Sequence, residues 1–361
     1  MSAAAVDVGS FESLEDFGEV HARHGSIDAG RENCESIALP NLPAGPPAPM
    51  RVRLLRKVLN RLARDFSCWH SLCDGGRVRE LKLGQVDVLE IMGQSARANR
   101  TILYFHGGGH KVFSAWTHRE IAGRLSAATR SRVLSVDYRL CPENPFPAAL
   151  EDALEAWREA CKLYPPESIA IAGDSAGGNL AFALLVKLAQ LGQQQPAACL
   201  GMAPWLLMDA ELLEKRRREN PLLPEGWWST SPKNRDPQEP LKKSRWASEA
   251  EVCIESYCQG HPSKDPLVSP LLASEDIVRR FPPILLHLTD EEPLTFDSRE
   301  MASKCRKAGV TLDYKEYQGR THVFQAFPNL FKKEAADSFA RMSVFLDAHW
   351  SDGAHGQRCS L

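Results

Sequence analysis

A serine between glycines is the feature of this sequence best suited to chemistry. Ser175 stands in the run Gly173-Asp174-Ser175-Ala176-Gly177-Gly178, which has the pattern G-x-S-x-G. This pattern is typical of a sharp strand-to-helix turn that holds a serine as a nucleophile. The flanking glycines leave room for the turn, because larger side chains there would collide with neighbouring backbone. Taken alone, the pattern also fits an ordinary glycine-rich turn.

A second glycine-rich segment supports the catalytic interpretation. His106-Gly107-Gly108-Gly109 follows the strand-like run 101–105. Such a segment upstream of a serine turn is typical of an oxyanion hole, where amide groups bind the negative oxygen of a tetrahedral intermediate. We predict that the amides of Gly107, Gly108 and Ala176 are these donors. A phosphate-binding loop is excluded, since no GxxxxGK[ST] occurs and no GxGxxG opens a helix.

A nucleophilic serine needs a base, and the base needs an acid that orients it. In folds with this serine turn the chain order is serine, acid, histidine. His322 comes directly after the strand-like run 311–317 and is the predicted base. The acid is expected after the run 283–288, where three carboxylates occur together. The residues alone leave the choice open among Asp290, Glu291 and Glu292.

The elements that must position these residues alternate between strands and helices from about residue 79. This alternation predicts an α/β fold, with a mostly parallel sheet and helices on both faces. The predicted strands are 79–91, 100–105, 132–137, 168–172, 198–203, 283–289 and 311–317. The predicted helices are 117–129, 148–161, 179–191 and 334–349, and the last of these should face the core with Phe339, Met342, Phe345 and Leu346.

Five ordered segments together resemble the hormone-sensitive-lipase-like branch of the α/β-hydrolases, also called bacterial family IV esterases. The segments are HGGG at 106–109, VDYRLCPE at 136–143 with PFPAA at 145–149, GDSAGGN at 173–179, DPLVSPL at 265–271 and HVF at 322–324. They span roughly residues 80 to 350. The resemblance implies an α/β-hydrolase fold with a helical cap. It also implies hydrolysis of short or medium acyl esters by a serine, without a metal or an organic cofactor.

The resemblance also bears on the acid. Members of the branch usually have Asp-Pro-Leu at this place, whereas this chain has Glu292-Pro293-Leu294. The match implies a triad of Ser175, Glu292 and His322, with Asp290 as the alternative acid. Glutamate can replace aspartate because either carboxylate holds the histidine tautomer and stabilises the imidazolium.

Three further residues are interpreted through the same resemblance. His110 stands where members of the branch usually carry an aromatic residue, so a more polar pocket mouth is expected. Asp174 is expected to bond the loop backbone beside the serine turn. Glu143 is expected to tie the 136–143 loop to that turn.

The domain organisation is predicted from composition and from the resemblance. Residues 1–50 form an N-terminal extension that is partly irregular, because its end is rich in proline. Residues 51–78 contribute N-terminal cap helices, including an amphipathic helix over 50–66. Residues 79–361 form the catalytic domain, with a further cap insertion at about 205–255.

Composition excludes several classes of partner. The chain has 361 residues, of which 43% are hydrophobic and 25% charged, with a net charge of −2. This balance argues against a nucleic-acid partner. A small-molecule ester as the substrate is what the resemblance implies. No apolar stretch long enough for a transmembrane helix and no secretion signal is found. A homodimer is left open.

The ten cysteines are scattered and lack the spacing of a zinc site. We therefore predict reduced thiols and a cytoplasmic protein.

Two other function classes are weighed. The same fold could support acyl transfer, lactone hydrolysis or elimination, and the sequence does not separate these from ester hydrolysis. A non-catalytic small-molecule receptor is the alternative outside enzymes. Against it, the chain keeps Ser175, His322 and a carboxylate at the acid position.

Overall fold

The structure is a computed structural model that describes residues 48–65, 76–219, 245–290 and 292–350. Within these ranges, eight strands form one sheet. They are β1 (Arg77–Leu83), β2 (Val86–Met92), β3 (Arg97–Phe105), β4 (Ser131–Val136), β5 (Ile169–Asp174), β6 (Cys199–Met202), β7 (Ile284–Thr289) and β8 (Leu312–Tyr317). The spatial order is β1-β2-β4-β3-β5-β6-β7-β8. Strands β3 to β8 pair in parallel, while β1 and β2 pair antiparallel, which confirms the predicted mostly parallel sheet.

Nine α-helices are described in the same ranges. They are α1 (Ala48–Asp65), α2 (Arg119–Thr129), α3 (Ala148–Leu163), α4 (Ser175–Gln190), α5 (Ala210–Glu219), α6 (Arg245–Cys258), α7 (Glu275–Val278), α8 (Thr295–Ala308) and α9 (Lys332–His349). The helices predicted from the sequence over 50–66, 117–129, 148–161, 179–191 and 334–349 all match one of these. No bounds were predicted for helices α5, α6, α7 and α8.

The sheet separates two hydrophobic cores. Along β3, Leu103 and Phe105 point to one core, and Ile102 and Tyr104 point to the other, because successive strand residues face opposite sides. Helices α3, α4 and α8 cover the first face, and α2 and α9 cover the second. The four α9 side chains predicted to face the core are all buried there.

One predicted strand is wrong in its extent. The single strand expected over 79–91 is an antiparallel hairpin of β1 and β2, in which Leu83 pairs with Val86. Gly84 begins the two-residue turn with a φ of +61°, a conformation that glycine adopts without steric cost. This glycine inside an otherwise strand-like run was the signal for a break.

Parallel strands end at the same edge of a sheet, and that edge collects the candidate site. Strands β3, β5, β7 and β8 run in the same direction and are followed by the glycine loop, Ser175, Glu292 and His322, respectively. In α/β proteins, sites are built at this carboxyl edge.

Parts of the predicted domain organisation lie outside the described residues. These are nearly all of the extension at 1–50, residues 66–75 of the predicted cap helices and residues 220–244 of the predicted insertion. Among the helices that are described, none combines the length and apolar composition needed to span a membrane.

Candidate active site

Ser175 lies at the turn between β5 and α4, in a conformation that few residues adopt. Its φ is +52°, in the left-handed region, and only 7% of its surface is exposed. Such strain persists only where surrounding structure enforces it, and it is common at catalytic residues. The packing around it is close, since a Cβ atom at Gly177 would lie 2.1 Å from the carbonyl oxygen of Phe105 in β3. The turn therefore packs directly on the neighbouring strand.

The glycine loop after β3 presents a different set of amides from the one predicted. The Gly107 amide donates a 3.0 Å hydrogen bond to Oδ1 of Asp174, which corrects the prediction that Gly107 is an oxyanion donor. The amides of Gly108 and Gly109 donate no hydrogen bond to the described residues. The Ala176 amide lies in the first turn of α4, where amides have no intrahelical acceptor. The sequence pattern could not show which way each amide points.

Asp174 is a buried carboxylate that holds the glycine loop. Its oxygens accept hydrogen bonds from the Gly107 amide and the Tyr104 hydroxyl, and Nε2 of His118 lies 3.5 Å from Oδ2. Burial would raise the pKa of Asp174, but the interactions with His118 and Tyr104 outweigh it, so the pKa lies below its usual range. The prediction that Asp174 bonds loop backbone is confirmed.

His106 is a structural residue of this loop. It is fully buried, its ring stacks on Tyr138 at a centroid distance of 4.4 Å, and its Nδ1 lies 2.8 Å from the Gly107 carbonyl oxygen. Burial, together with the nearby His118, lowers the pKa of His106 to about 3. The ring is therefore neutral at physiological pH and supports the loop rather than exchanging protons.

His110 does not make the pocket mouth polar, contrary to expectation. The side chain is fully buried, and its ring stacks on Tyr257 of α6 at a centroid distance of 4.1 Å. Burial lowers the pKa of His110 to about 3. Asn179 lies beside the ring, but neither ring nitrogen makes a hydrogen bond of good geometry with the described residues. His110 thus fills an aromatic position, which the sequence could not show because Tyr257 lies far along the chain.

Glu292 and His322 meet at the ends of β7 and β8. Nδ1 of His322 and Oε2 of Glu292 form a short hydrogen bond. The other carboxylate oxygen, Oε1, accepts a 3.0 Å bond from the amide of Thr289. Glu292 is almost completely buried, with 1% of its surface exposed, so this contact is shielded from water. The carboxylate is held at both oxygens and fixes the orientation of the imidazole.

Asp290, the alternative acid, has another partner. Its Oδ1 accepts a 2.8 Å hydrogen bond from the Gly319 amide, in the turn that leads to His322. Thr289 supports the same turn, because its hydroxyl donates to the carbonyl oxygen of Arg320 over 2.6 Å. Asp290 therefore stabilises the turn that leads to His322 and does not bind the imidazole itself. Glu291 lies outside the described residues.

Glu143 has partners other than those expected. It does not bond the serine turn in the described structure but accepts hydrogen bonds from Arg53 and Arg56 of α1, at 2.8 and 2.9 Å. Arg56 also donates to the carbonyl oxygens of Lys111 and Cys141. Helix α1 is thereby fastened to the loops that follow β3 and β4.

Helix α6, which comes much later in the sequence than α1, also contacts the loop that follows β3. A Cβ atom at Gly109 would lie 2.9 Å from Sγ of Cys253, so α6 packs on the glycine loop. The Tyr257 carbonyl oxygen accepts a 2.7 Å bond from the amide of Phe146. Helices α1 and α6 therefore both lie against loops that adjoin the candidate site.

Comparison with known proteins decides the family. The family described as having the α/β-hydrolase fold matches residues 102–326, which is more than half of the chain. The chain belongs to the α/β-hydrolase family. Within it, a similar relative is an acetyl-hydrolase of Streptomyces hygroscopicus, 33% identical over 68% of this chain and 76% of the relative. An esterase of Acinetobacter venetianus is 30% identical over 81% of this chain and 87% of that protein.

Solved structures of α/β-hydrolases agree with this membership. An esterase from the bacterial hormone-sensitive lipase family superimposes with a TM-score of 0.69 and 29% identity, covering 86% of this chain and 94% of the other. A variant of the esterase E40 gives a TM-score of 0.68 and 30% identity, covering 82% and 91%. The predicted fold and the predicted resemblance to the hormone-sensitive-lipase-like branch are confirmed.

Proposed function

We propose that this α/β-hydrolase is a serine carboxylester hydrolase with a triad of Ser175, Glu292 and His322. The observation that carries the assignment is the hydrogen bond between Nδ1 of His322 and Oε2 of Glu292, at the sheet edge where Ser175 also lies. Asp290 is not the acid in this proposal, because its carboxylate binds the Gly319 amide instead. Two of the similar proteins are named as esterases, and a third is named as an acetyl-hydrolase.

The first half of the reaction forms an acyl-enzyme. His322 accepts the hydroxyl proton of Ser175 at Nε2 while Oγ attacks the ester carbonyl carbon. Buried Glu292 holds the proton on Nδ1 and stabilises the imidazolium that forms. The tetrahedral intermediate collapses with cleavage of the bond to the alcohol oxygen, and His322 returns its proton to the departing alkoxide.

Amide groups stabilise the oxygen that becomes negative in that intermediate. We assign this task to Gly108, Gly109 and Ala176, whose amides have no acceptor in the described structure. The first helical turn of α4 adds the favourable end of its dipole at the same place. Water then attacks the acyl-enzyme with His322 again as the base, and the carboxylic acid is released.

The surroundings of the site support a small ester as substrate. Helices α1 and α6 pack against the loops beside Ser175, and we propose that they form part of a cap that closes over short or medium acyl chains. The cytoplasmic location stays a prediction from the sequence.

The test is hydrolysis of a p-nitrophenyl ester series, from acetyl to dodecanoyl, by the wild type and by Ser175→Ala. We expect the variant to lose about 10⁴-fold or more in kcat. Ser95→Ala, in an exposed turn, serves as the matched control and should keep full activity. Unchanged hydrolysis in Ser175→Ala would overturn the proposal. With methanol added, formation of a methyl ester in place of the free acid would move the assignment to acyl transfer.

A further inference from the structure

Helix α1 carries two parallel stripes of exposed side chains, one apolar and one cationic. The apolar stripe consists of residues spaced four apart, which share one side of a helix. Its members and their exposed fractions are Leu54 at 56%, Val58 at 42% and Leu62 at 47%. The cationic stripe precedes it by one residue at each step and is also exposed. It consists of Arg53, Lys57 and Arg61.

The side of α1 opposite the apolar stripe is fixed to the protein, so the apolar stripe faces outward. Arg53, at the edge of the cationic stripe, is exposed but also pairs with Glu143. Arg56 binds the carbonyl oxygens of Lys111 and Cys141, as described above. Asn60 accepts a 2.6 Å hydrogen bond from the hydroxyl of Ser114 through its side-chain oxygen. Ala63 is buried, with 7% of its surface exposed. These contacts succeed each other along the helix and prevent it from turning its apolar stripe inward.

The apolar stripe differs from the other exposed hydrophobic residues of the described chain. The others stand singly on separate helices and loops, which is common on protein surfaces. They are Leu163, Leu191, Val252, Leu330 and Val344. Among the residues that the structure describes, only α1 places three such residues in one row, and contiguous exposed apolar surface is typical of an interaction site.

The charge of α1 indicates the chemistry of the partner. The helix contains six basic residues and one acidic residue, although the whole chain has a net charge of −2. Glu143 pairs with Arg53 and Arg56, and the sequence of the helix still has more basic than acidic residues. An exposed apolar row flanked by cations is the pattern of helices that lie in the interface of an anionic bilayer.

We propose that α1 docks the protein onto the surface of an anionic lipid bilayer. The apolar stripe enters the headgroup region, and the cationic stripe lies against the lipid phosphates. Three apolar side chains are too few for permanent anchoring, so binding is reversible and weakens as salt screens the charges. Because α1 is fastened to the loops beside the glycine loop, docking brings the candidate active site close to the bilayer.

The experiment is co-sedimentation of the full-length protein with large unilamellar vesicles. One vesicle type contains phosphatidylcholine and phosphatidylglycerol in a ratio of about 3:1, and the other contains phosphatidylcholine alone. We expect binding to the anionic vesicles, at least about tenfold weaker binding in high salt, and little binding to the neutral vesicles. Val58→Asp and Lys57→Glu should each weaken binding to the anionic vesicles about fivefold or more.

Matched controls repeat the same substitutions elsewhere on the surface. Val344→Asp and Lys333→Glu change exposed residues of α9 and should leave binding unchanged, and the melting temperature of each variant checks its folding. Absence of binding to the anionic vesicles would overturn the proposal, as would equal losses in the α1 and α9 variants. A dimer that Val58→Asp dissociates, without vesicle binding, would also overturn it and assign the stripe to self-association.

Discussion

The serine side and the histidine side of the candidate site are built in different ways. On the serine side, backbone packs on backbone: Gly177 lies so close to β3 that no side chain fits, and Ser175 takes a left-handed conformation. On the histidine side, polar side chains hold two loops together. Asp290 binds the amide of Gly319, while Glu292 binds Thr289 and the imidazole of His322.

This difference explains why the residues of the serine side are easier to identify from a sequence than those of the histidine side. Close backbone approach requires glycine at fixed positions, so the serine side leaves a pattern of glycines around Ser175. A hydrogen bond to a carboxylate can be made equally well by a carboxylate one or two positions away in the sequence. The histidine side therefore presents adjacent carboxylates, and only the geometry distinguishes the role of Glu292 from that of Asp290.

The largest expected effect separates these two carboxylates. Glu292→Gln keeps the size of the side chain but removes the charge that stabilises the imidazolium of His322. We expect kcat for a short p-nitrophenyl ester to fall by about 10³- to 10⁴-fold. Asp290→Asn retains a side-chain oxygen that can accept the Gly319 amide, so its kcat should fall by less than about tenfold.

The two substitutions control for each other, because each turns one carboxylate of the same loop into an amide. A larger loss in Asp290→Asn than in Glu292→Gln would contradict the assignment of the acid. Equal large losses would show that the loop acts as one unit, and the distinction drawn between the two carboxylates would then be wrong.

The second prediction compares a glycine from each side. In Gly177→Ala the new Cβ atom would lie 2.1 Å from the carbonyl oxygen of Phe105, so β3 and the serine turn must move apart. We expect a loss of about 3 kcal/mol or more in the free energy of unfolding. Gly319 has a φ of +61° and open space around it, so Gly319→Ala should cost only about 1 kcal/mol.

Urea unfolding of both variants measures this difference. A Gly177→Ala protein that does not fold is the extreme form of the expected result. Equal unfolding free energies for the two variants would contradict the view that the serine side depends on close backbone approach.

The smallest effect concerns pH and the buried His110 beside the serine turn. Burial lowers its pKa to about 3, well below the ordinary value of 6.5. Between these values the unfolded chain binds a proton that the folded protein does not, so stability falls as pH decreases. In His110→Phe this contribution is lost, and the slope of unfolding free energy between pH 6 and pH 4 should decrease by about 1 kcal/mol per pH unit.

Denaturant titrations of the wild type and of His110→Phe at several pH values test this. An unchanged slope in His110→Phe would show that the buried ring does not stay neutral.

Because His110 is fully buried, the same variant should also keep the acyl-chain preference of the wild type. A changed preference would restore the interpretation that His110 shapes the pocket mouth.

Sequence reasoning predicted those parts of the molecule that local chemistry determines. The parallel strands and helices α2, α3, α4 and α9 follow from hydrophobic patterns and from the alternation of the two kinds of element, and these indicate the fold. The position of His322 follows from chain order. The hairpin of β1 and β2 was missed although Gly84 marked its turn, because the flanking residues read as one continuous strand.

The other errors concern contacts between residues that are distant in sequence. The amide of Gly107 is engaged by Asp174, 67 residues later, so the glycine pattern could not identify the free amides. His110 is buried by Tyr257 of α6, and Glu143 is paired with Arg53 and Arg56 of α1. In each case the tertiary structure, rather than the local sequence, decides what the residue does.

The central claim is that Ser175 is a nucleophile activated by His322. It is tested most directly by reaction with a fluorophosphonate, followed by mass spectrometry of the proteolytic peptides. We predict a single phosphonyl group on the peptide that contains Ser175, formed at least about a hundredfold more slowly in His322→Gln. Labelling of a different residue, or equally fast labelling of Ser175 in His322→Gln, would contradict the account.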